Sequence, residues 1–223
     1  MIIAIDGPAA SGKSTTARLA AQRLGFTYLD TGAMYRTVTL ALLQKNISFL
    51  NIPEVENAIS KMDIQLSSNN GNTEVNLNGI DVTNAIRTGA VTGNVSTVSA
   101  IPLVRKSMVK LQRQIGEQSN CVVEGRDIGT VVFPNAKWKF FIVADTQTRA
   151  IRRQKDLAKI GEHRSIEDLE KEIELRDMKD STRDHSPLRK AKDAIDLDTS
   201  SLTIDEQVSF IIQTINPEEH FNE

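Results

Sequence analysis

The chain holds one cysteine, Cys121, which excludes an intramolecular disulfide framework. That residue lies in the apolar run Cys121-Val122-Val123, so a small core residue is expected there rather than a nucleophile or ligand. The three histidines, His163, His185 and His220, show no HxxxH or Cys/His spacing, so a zinc site has no support. No Ser/His/Asp set and no HExxH helix supplies a hydrolytic centre. The apolar run at the N-terminus is too short for a signal peptide or a membrane span, so a reduced, cytoplasmic setting without a membrane partner is expected. An excess of one charge is missing as well: 27 Lys and Arg against 29 Asp and Glu give a formal net charge of −2. Nucleic acid is therefore not an expected partner, and affinity for anions must come from local clusters of Arg and Lys.

With 223 residues and 39% hydrophobic content, the chain is long enough to bury a full core, and one domain carrying an insertion is expected. Its organising stretch is the apolar run Ile2-Ile3-Ala4-Ile5-Asp6 followed by Gly7-Pro8-Ala9-Ala10-Ser11-Gly12-Lys13-Ser14. The run reads as a buried strand, and the eight residues from Gly7 fit the GxxxxGK(S/T) phosphate-binding pattern. Thr15 to Leu24 then carries Ala17, Leu19, Ala20, Ala21 and Leu24, a helix that Gly25 stops. Strand, glycine-bearing loop and helix in that order suit a triphosphate, because backbone N–H groups at the helix start surround the anion. Lys13 is placed to reach the β- and γ-phosphates and the Ser14 hydroxyl to sit on Mg²⁺.

Further on, Phe26 to Asp30 reads as a short strand, and Asp30-Thr31-Gly32 as the cap of a helix bearing Met34, Tyr35, Val38, Leu40, Ala41 and Leu42. Pro53 to Met62 is helical, after which the period changes to two. Ile64 and Leu66, the turn Asn69-Asn70-Gly71-Asn72, then Val75, Leu77, Ile80 and Val82 predict a small antiparallel sheet of two or three strands. Residues 84–118 return to helix, with a new start at Ile101-Pro102. Strands follow at Cys121-Val122-Val123 and at Lys139 to Val143, then helices at roughly 147–160 and 165–182, a strand at Ala194 to Leu197 and a helix at 203–215. Strands alternating with helices predict an α/β fold, a parallel sheet covered on both faces with ligands at the carboxyl ends of the strands. Asp6, Asp30, Arg126-Asp127 and Asp145 all follow such ends, and only the polar tail after Pro217 is expected to fray.

Arg149, Arg152 and Arg153 lie at i, i+3 and i+4 on one helix face. That face is either a solvated charged surface or a lid that brings cations to a transferring phosphoryl group, and the spacing fits all three arginines equally. Arg176, Asp180 and Arg183 repeat the arrangement at i, i+4 and i+7. There the carboxylate either pairs with the arginines or accepts a ribose hydroxyl while they take phosphate or base. No NKxD and no DxxG comes after the phosphate loop, which argues against a GTPase switch.

Taken in order, these blocks resemble the bacterial cytidylate kinases of the nucleoside monophosphate kinase family over nearly the full length. The resemblance is carried by Gly7 to Ser14, by Leu29-Asp30-Thr31-Gly32-Ala33-Met34-Tyr35-Arg36, by Glu124-Gly125-Arg126-Asp127-Ile128-Gly129-Thr130-Val131-Val132-Phe133-Pro134, and by Arg176-Asp177. It implies a single P-loop kinase domain over 1–223 with a five-stranded parallel core. It also implies a monophosphate-binding insert region at about 37–105, which holds the small sheet near 63–83, and a lid at about 147–164. The implied reaction is γ-phosphate transfer from ATP to CMP or dCMP, with Mg²⁺ accompanying ATP at Ser14, in an enzyme expected to be a monomer. ATP would be held by Gly7, Pro8, Ala9, Ala10, Ser11, Gly12, Lys13, Ser14 and Thr15, and catalysis would fall to Lys13, Arg126, Arg152 and Arg153. Tyr35, Arg36, Arg126, Arg176, Asp180 and Arg183 would hold the acceptor's phosphate and ribose, and Thr31 would also bind CMP. Ser96, Arg105 and Asp127 would lie near the cytosine, with Arg183 also reaching it. Thr31 stands where many members have serine, which keeps the hydroxyl. The alternatives are another small-molecule P-loop kinase or a nucleotide-dependent switch with no acceptor.

Overall fold

A computed structural model describes residues 1–69, 72–159 and 161–216. The Asn70-Gly71 pair of the expected turn, Ile160 at the end of the stretch 147–160, and the tail from Pro217 lie outside the described residues. The major sheet is built from β1 (Ile2–Asp6), β2 (Thr27–Asp30), β6 (Cys121–Gly125), β7 (Trp138–Val143) and β8 (Ile195–Asp198). Its order is β2-β6-β1-β7-β8, and every neighbouring pair is parallel. Since β1 lies at the centre, its carboxyl end and the loop after it open at the middle of the sheet, between β6 and β7.

Both faces of the sheet are covered, and the alternation along β1 shows how. Ile3 and Ile5 point to one face, against Ala17, Ala20 and Ala21 of α1 (Lys13–Leu24) and Val208 and Ile211 of α8 (Ile204–Ile215). Ala4 points to the other, with Val123 and Leu29, against the helices α2 (Thr31–Gln44), α4 (Gly89–Ala100) and α5 (Pro102–Gly116). Cys121 is a buried member of that second cluster, and burial pushes its thiol up to about 12, which fits a core residue. Helix starts are set by local chemistry. Asp30 caps α2 by accepting from the Ala33 N–H at 2.8 Å, and Asp145 caps α6 (Thr146–Ala158) by accepting from Thr148 N–H at 2.7 Å. Gly25 ends α1 in the left-handed conformation at φ 65°.

The change of period marks a separate antiparallel sheet of β3 (Ile64–Asn69), β4 (Asn72–Leu77) and β5 (Ile80–Asp81). It is not an isolated ornament: Ile64, Val75 and Leu77 are buried in one cluster with Val38 and Leu42 of α2 and Val55 of α3 (Ile52–Ile59). A small third cluster joins α6 to α7 (Ile166–Thr182) through Ala150, Leu157, Leu169 and Ile173, with Ala10 of the phosphate loop packed against it. This helix pair therefore has its own core and meets the main body beside the loop.

Candidate active site

The loop from Gly7 to Gly12 leaves β1 pressed against its neighbour. A Cβ at Gly7 would lie 2.1 Å from the Ile142 carbonyl oxygen, so no side chain fits. Ala10 takes φ 57° and Gly12 φ 90°, both left-handed, which turns successive amides inward. Gly12 caps α1 without any side-chain hydrogen bond, leaving the first N–H groups of the helix available to an anion.

Lys13 is buried, its Nζ donating to the Pro8 carbonyl at 3.0 Å. Burial, reinforced by the Arg126 and Arg176 charges, lowers its pKa to about 7, with Glu124 and Asp30 acting in the opposite sense. Glu124, at the carboxyl end of β6, is a residue to which the sequence alone assigns no role. Its Oε2 accepts from Ser14 Oγ at 2.8 Å and its Oε1 from the Tyr28 hydroxyl at 2.6 Å. Burial, and then the Asp30 charge, raise the Glu124 pKa, while Lys13 lowers it. A cation would offset that cost, and hard oxygen donors from Ser14 and Glu124 suit Mg²⁺ held together with substrate phosphates. Among the described residues no group of three or more His, Cys, Asp or Glu could hold a metal ion.

Beside the loop opens a cleft of about 250 Å³. Ala9, Ala10, Lys13 and Ser14 line one end, and Thr31, Tyr35, Arg36, Ser96, Arg105, Arg126, Asp127, Arg176, Asp180 and Arg183 line the rest, so the expected acceptor residues come together. Asp180 organises part of them, accepting from Arg126 Nε at 2.9 Å and from Ser96 Oγ at 3.3 Å. At the far end Arg105 donates to Asp127 Oδ2 in a buried ion pair and lies over the Tyr35 ring, 5.4 Å from its centroid. Arg183 Nη2 is 3.8 Å from the other Asp127 oxygen, an ion pair too long for a hydrogen bond. Arg36 donates to Asp30 Oδ2 at 3.1 Å. The Thr31 hydroxyl donates to the Glu124 carbonyl at 2.6 Å, so it can only accept from a ligand.

Four cleft arginines keep a buried nitrogen without a hydrogen-bond partner: Arg36 Nε, Arg105 Nε, Arg176 Nε and Arg183 Nη2. Burial, then repulsion from Arg126, lowers the Arg176 pKa to about 10. Buried cations with unused donors describe a site shaped for a polyanion.

The remaining expectations divide. Of the three arginines on α6, only Arg153 lines the cleft. Arg149 is buried, donating to the Ala9 carbonyl at 3.3 Å and to Asp177, which itself accepts from the Ala9 N–H at 3.3 Å. Arg152 donates to Thr199 Oγ1 at 3.0 Å, to the Thr199 carbonyl at 2.6 Å and to the Ser11 carbonyl at 3.3 Å. The equal spacing of the three thus conceals three environments, because the helix packs its arginines between α7, the phosphate loop and the turn after β8. Ser11 is buried behind the loop, Pro8 meets Lys13 through its carbonyl, and Thr15 faces solvent. Among the strand-end acids, Asp6 is occupied by the Ile128 and Gly129 N–H groups at 2.8 and 2.7 Å and raised to about 6 by burial, and Asp145 serves as a helix cap. Asp30, expected at a strand end and as a helix cap, also lines the cleft, as do Ser99, Asp156, Glu172 and Ile173, which were not expected there.

A family model described as cytidylate kinase matches residues 3–217. Cytidylate kinases from Fusobacterium nucleatum and Lactobacillus gasseri are each 46% identical over 215 residues, covering 96% of this chain and 97% and 94% of theirs. That of Cytophaga hutchinsonii is 47% identical over 214 residues, 95% of this chain and 92% of its own. Among solved structures, an uncharacterized protein from Eubacterium ventriosum shares the fold alone, with a TM-score of 0.52 at 13% identity over 96% of this chain and 98% of that one. Matched from Ile3 almost to its end, the chain belongs to the cytidylate kinase family.

Proposed function

We propose that the protein transfers the γ-phosphoryl group of ATP to CMP, and to dCMP as a second acceptor, giving ADP and CDP or dCDP. The observation that carries this reading is one continuous cleft. The loop with Lys13 and Ser14 is at one end, buried arginines with unused donors are in the middle, and the Arg105–Asp127 pair is at the other. Membership of the cytidylate kinase family supports the choice of acceptor.

A phosphate monoester has its second pKa near 6, so the acceptor oxygen is largely deprotonated at neutral pH and no general base is needed. That oxygen attacks the γ-phosphorus in line, the bond to the β-phosphate bridging oxygen breaks, and ADP leaves. Repulsion between two polyanions is what opposes reaction. Arg126, Arg176, Arg36 and Arg183 hold the acceptor phosphate, with Asp180 keeping Arg126 in place and accepting from the ribose. Lys13 tracks the charge that develops on the transferring group, and Arg153 approaches from α6, which falls in the lid stretch at about 147–164. Arg152 is reassigned from the transferring group to the phosphate loop, whose Ser11 carbonyl it anchors to Thr199. Ser14 and Glu124 would hold Mg²⁺ together with ATP, and the ion would supply charge neutralisation there. The small sheet belongs to the acceptor side through its packing on α2, which carries Tyr35 and Arg36.

Chromatographic analysis of a mixture with ATP, CMP and MgCl₂ tests the reading. CDP and ADP should appear one to one. ADP appearing without CDP would mean hydrolysis and would favour the switch alternative.

A further inference from the structure

We propose that Gln112 is a positioning residue for base recognition: its amide steers the Tyr35 hydroxyl, and through the Tyr35 ring the guanidinium of Arg105. This rests on the acceptor site assigned above and concerns which groups set its specificity.

Gln112 lies on α5 and is 0% exposed, yet neither its Nε2 nor its Oε1 has a hydrogen-bond partner. An amide with both ends unmet in a core is costly, and Gln112 shares its helix with the buried apolar residues Val104 and Met108. A local choice that lowers stability in an otherwise consistent core is expected at functional positions. The surroundings show which function. Arg105 and Gln112 are seven residues apart, on the same face of α5 and about two turns, roughly 10 Å, from one another along the axis. Tyr35 spans that gap from α2: its ring lies under the Arg105 guanidinium, and its hydroxyl, also buried and without a hydrogen-bond partner, interacts with the Gln112 side chain. The hydroxyl and the amide are neighbours, and neither has another hydrogen-bond partner. Gln112 does not line the cleft, so it acts on the base only through Tyr35 and Arg105. A base pressing on the Arg105–Tyr35 stack would complete the bond and hold Arg105 against Asp127 in the orientation that reads cytosine.

Gln112→Met removes the amide at nearly constant volume. It should keep or raise the melting temperature, leave KM for ATP unchanged, raise KM for CMP, and lower the ratio of kcat/KM for CMP over UMP, each of the last two by about fivefold, the worth of one neutral hydrogen bond. Calorimetric titration with CMP alone should show the same weakening of binding. Tyr35→Phe should reproduce the shift, and the double variant should be no worse than either single one, since both remove one interaction. A wild-type CMP affinity and CMP/UMP ratio in Gln112→Met would overturn the proposal. So would additive losses in the double variant, or a fall in melting temperature with specificity intact, which would make Gln112 structural. If wild-type protein turned over no CMP, the functional reading itself would fail. Normal CMP turnover that is indifferent to Gln112 would sink only this inference.

Discussion

Replacing Asp127 with Asn tests base choice where the geometry is most explicit. Asp127 Oδ2 is taken by Arg105, whereas Oδ1 faces Arg183 only at 3.8 Å and is free to accept a hydrogen bond. Cytosine presents an amino donor at its 4-position and an acceptor at N3, and uracil presents the reverse. A carboxylate at Oδ1 accepts from the first and repels the second, while the Arg105 donors suit N3 of cytosine. Asparagine keeps the size but can turn an amide donor toward the base, which removes the discrimination. At roughly 1–3 kcal/mol for a well-formed base contact, the ratio of kcat/KM for CMP over UMP should drop about fivefold to a hundredfold. The same substitution leaves the buried Arg105 guanidinium without its anion, which costs roughly 1–3 kcal/mol. In a chain of this length that lowers the melting temperature by about 2–12 °C. Steady-state kinetics with each acceptor at saturating ATP, alongside thermal unfolding, supplies both numbers. If CMP and UMP turnover fell by one common factor, Asp127 would be organising phosphate or ribose, and the base would be read elsewhere.

Lys13→Met should lower kcat by about 10²–10³, yet stabilise the ligand-free fold. The Lys13 pKa is lower in the folded than in the unfolded chain, so its destabilising effect is full below pH about 7 and fades as pH rises toward 10.5. Unfolding of the variant and the wild type at pH 6 and pH 9 checks this, and a larger gain at pH 9 would contradict it. Gly7→Ala should abolish or strongly destabilise folding, because its Cβ would sit 2.1 Å from the Ile142 carbonyl oxygen; a soluble variant with wild-type melting would mean the loop relaxes freely. Arg126→Ala and Arg36→Ala should each raise KM for CMP far more than for ATP, measured by varying each substrate at saturation of the other, and equal losses would place these arginines on the wrong substrate.

The fold was legible where one physical signal dominated. The apolar run before Gly7, the cap at Asp30, the stop at Gly25 and the change to period two at Ile64 each mark what the structure contains. Short-range spacing stops being informative where several elements converge. Nothing local separates Arg149, Arg152 and Arg153, whose partners lie on the phosphate loop, on α7 and at Thr199. Glu124 reads as the end of a strand, and its place opposite Ser14 and Tyr28 arises only when β6 pairs between β2 and β1. Gln112 was invisible for a related reason. A glutamine on a helix bearing lysines and arginines looks like solvent-facing polarity until the packing of α2 on α5 encloses it.

If one cleft joins a triphosphate loop to a cytosine-reading acceptor site, ADP release with ATP and Mg²⁺ must depend on the acceptor, and CMP, dCMP, UMP, AMP, GMP and shikimate are to be compared in parallel. CMP should give the highest kcat/KM, with dCMP also accepted and the purine monophosphates and shikimate near background. Equal or faster turnover of AMP, GMP or shikimate, or no dependence of ADP release on any acceptor, would contradict it.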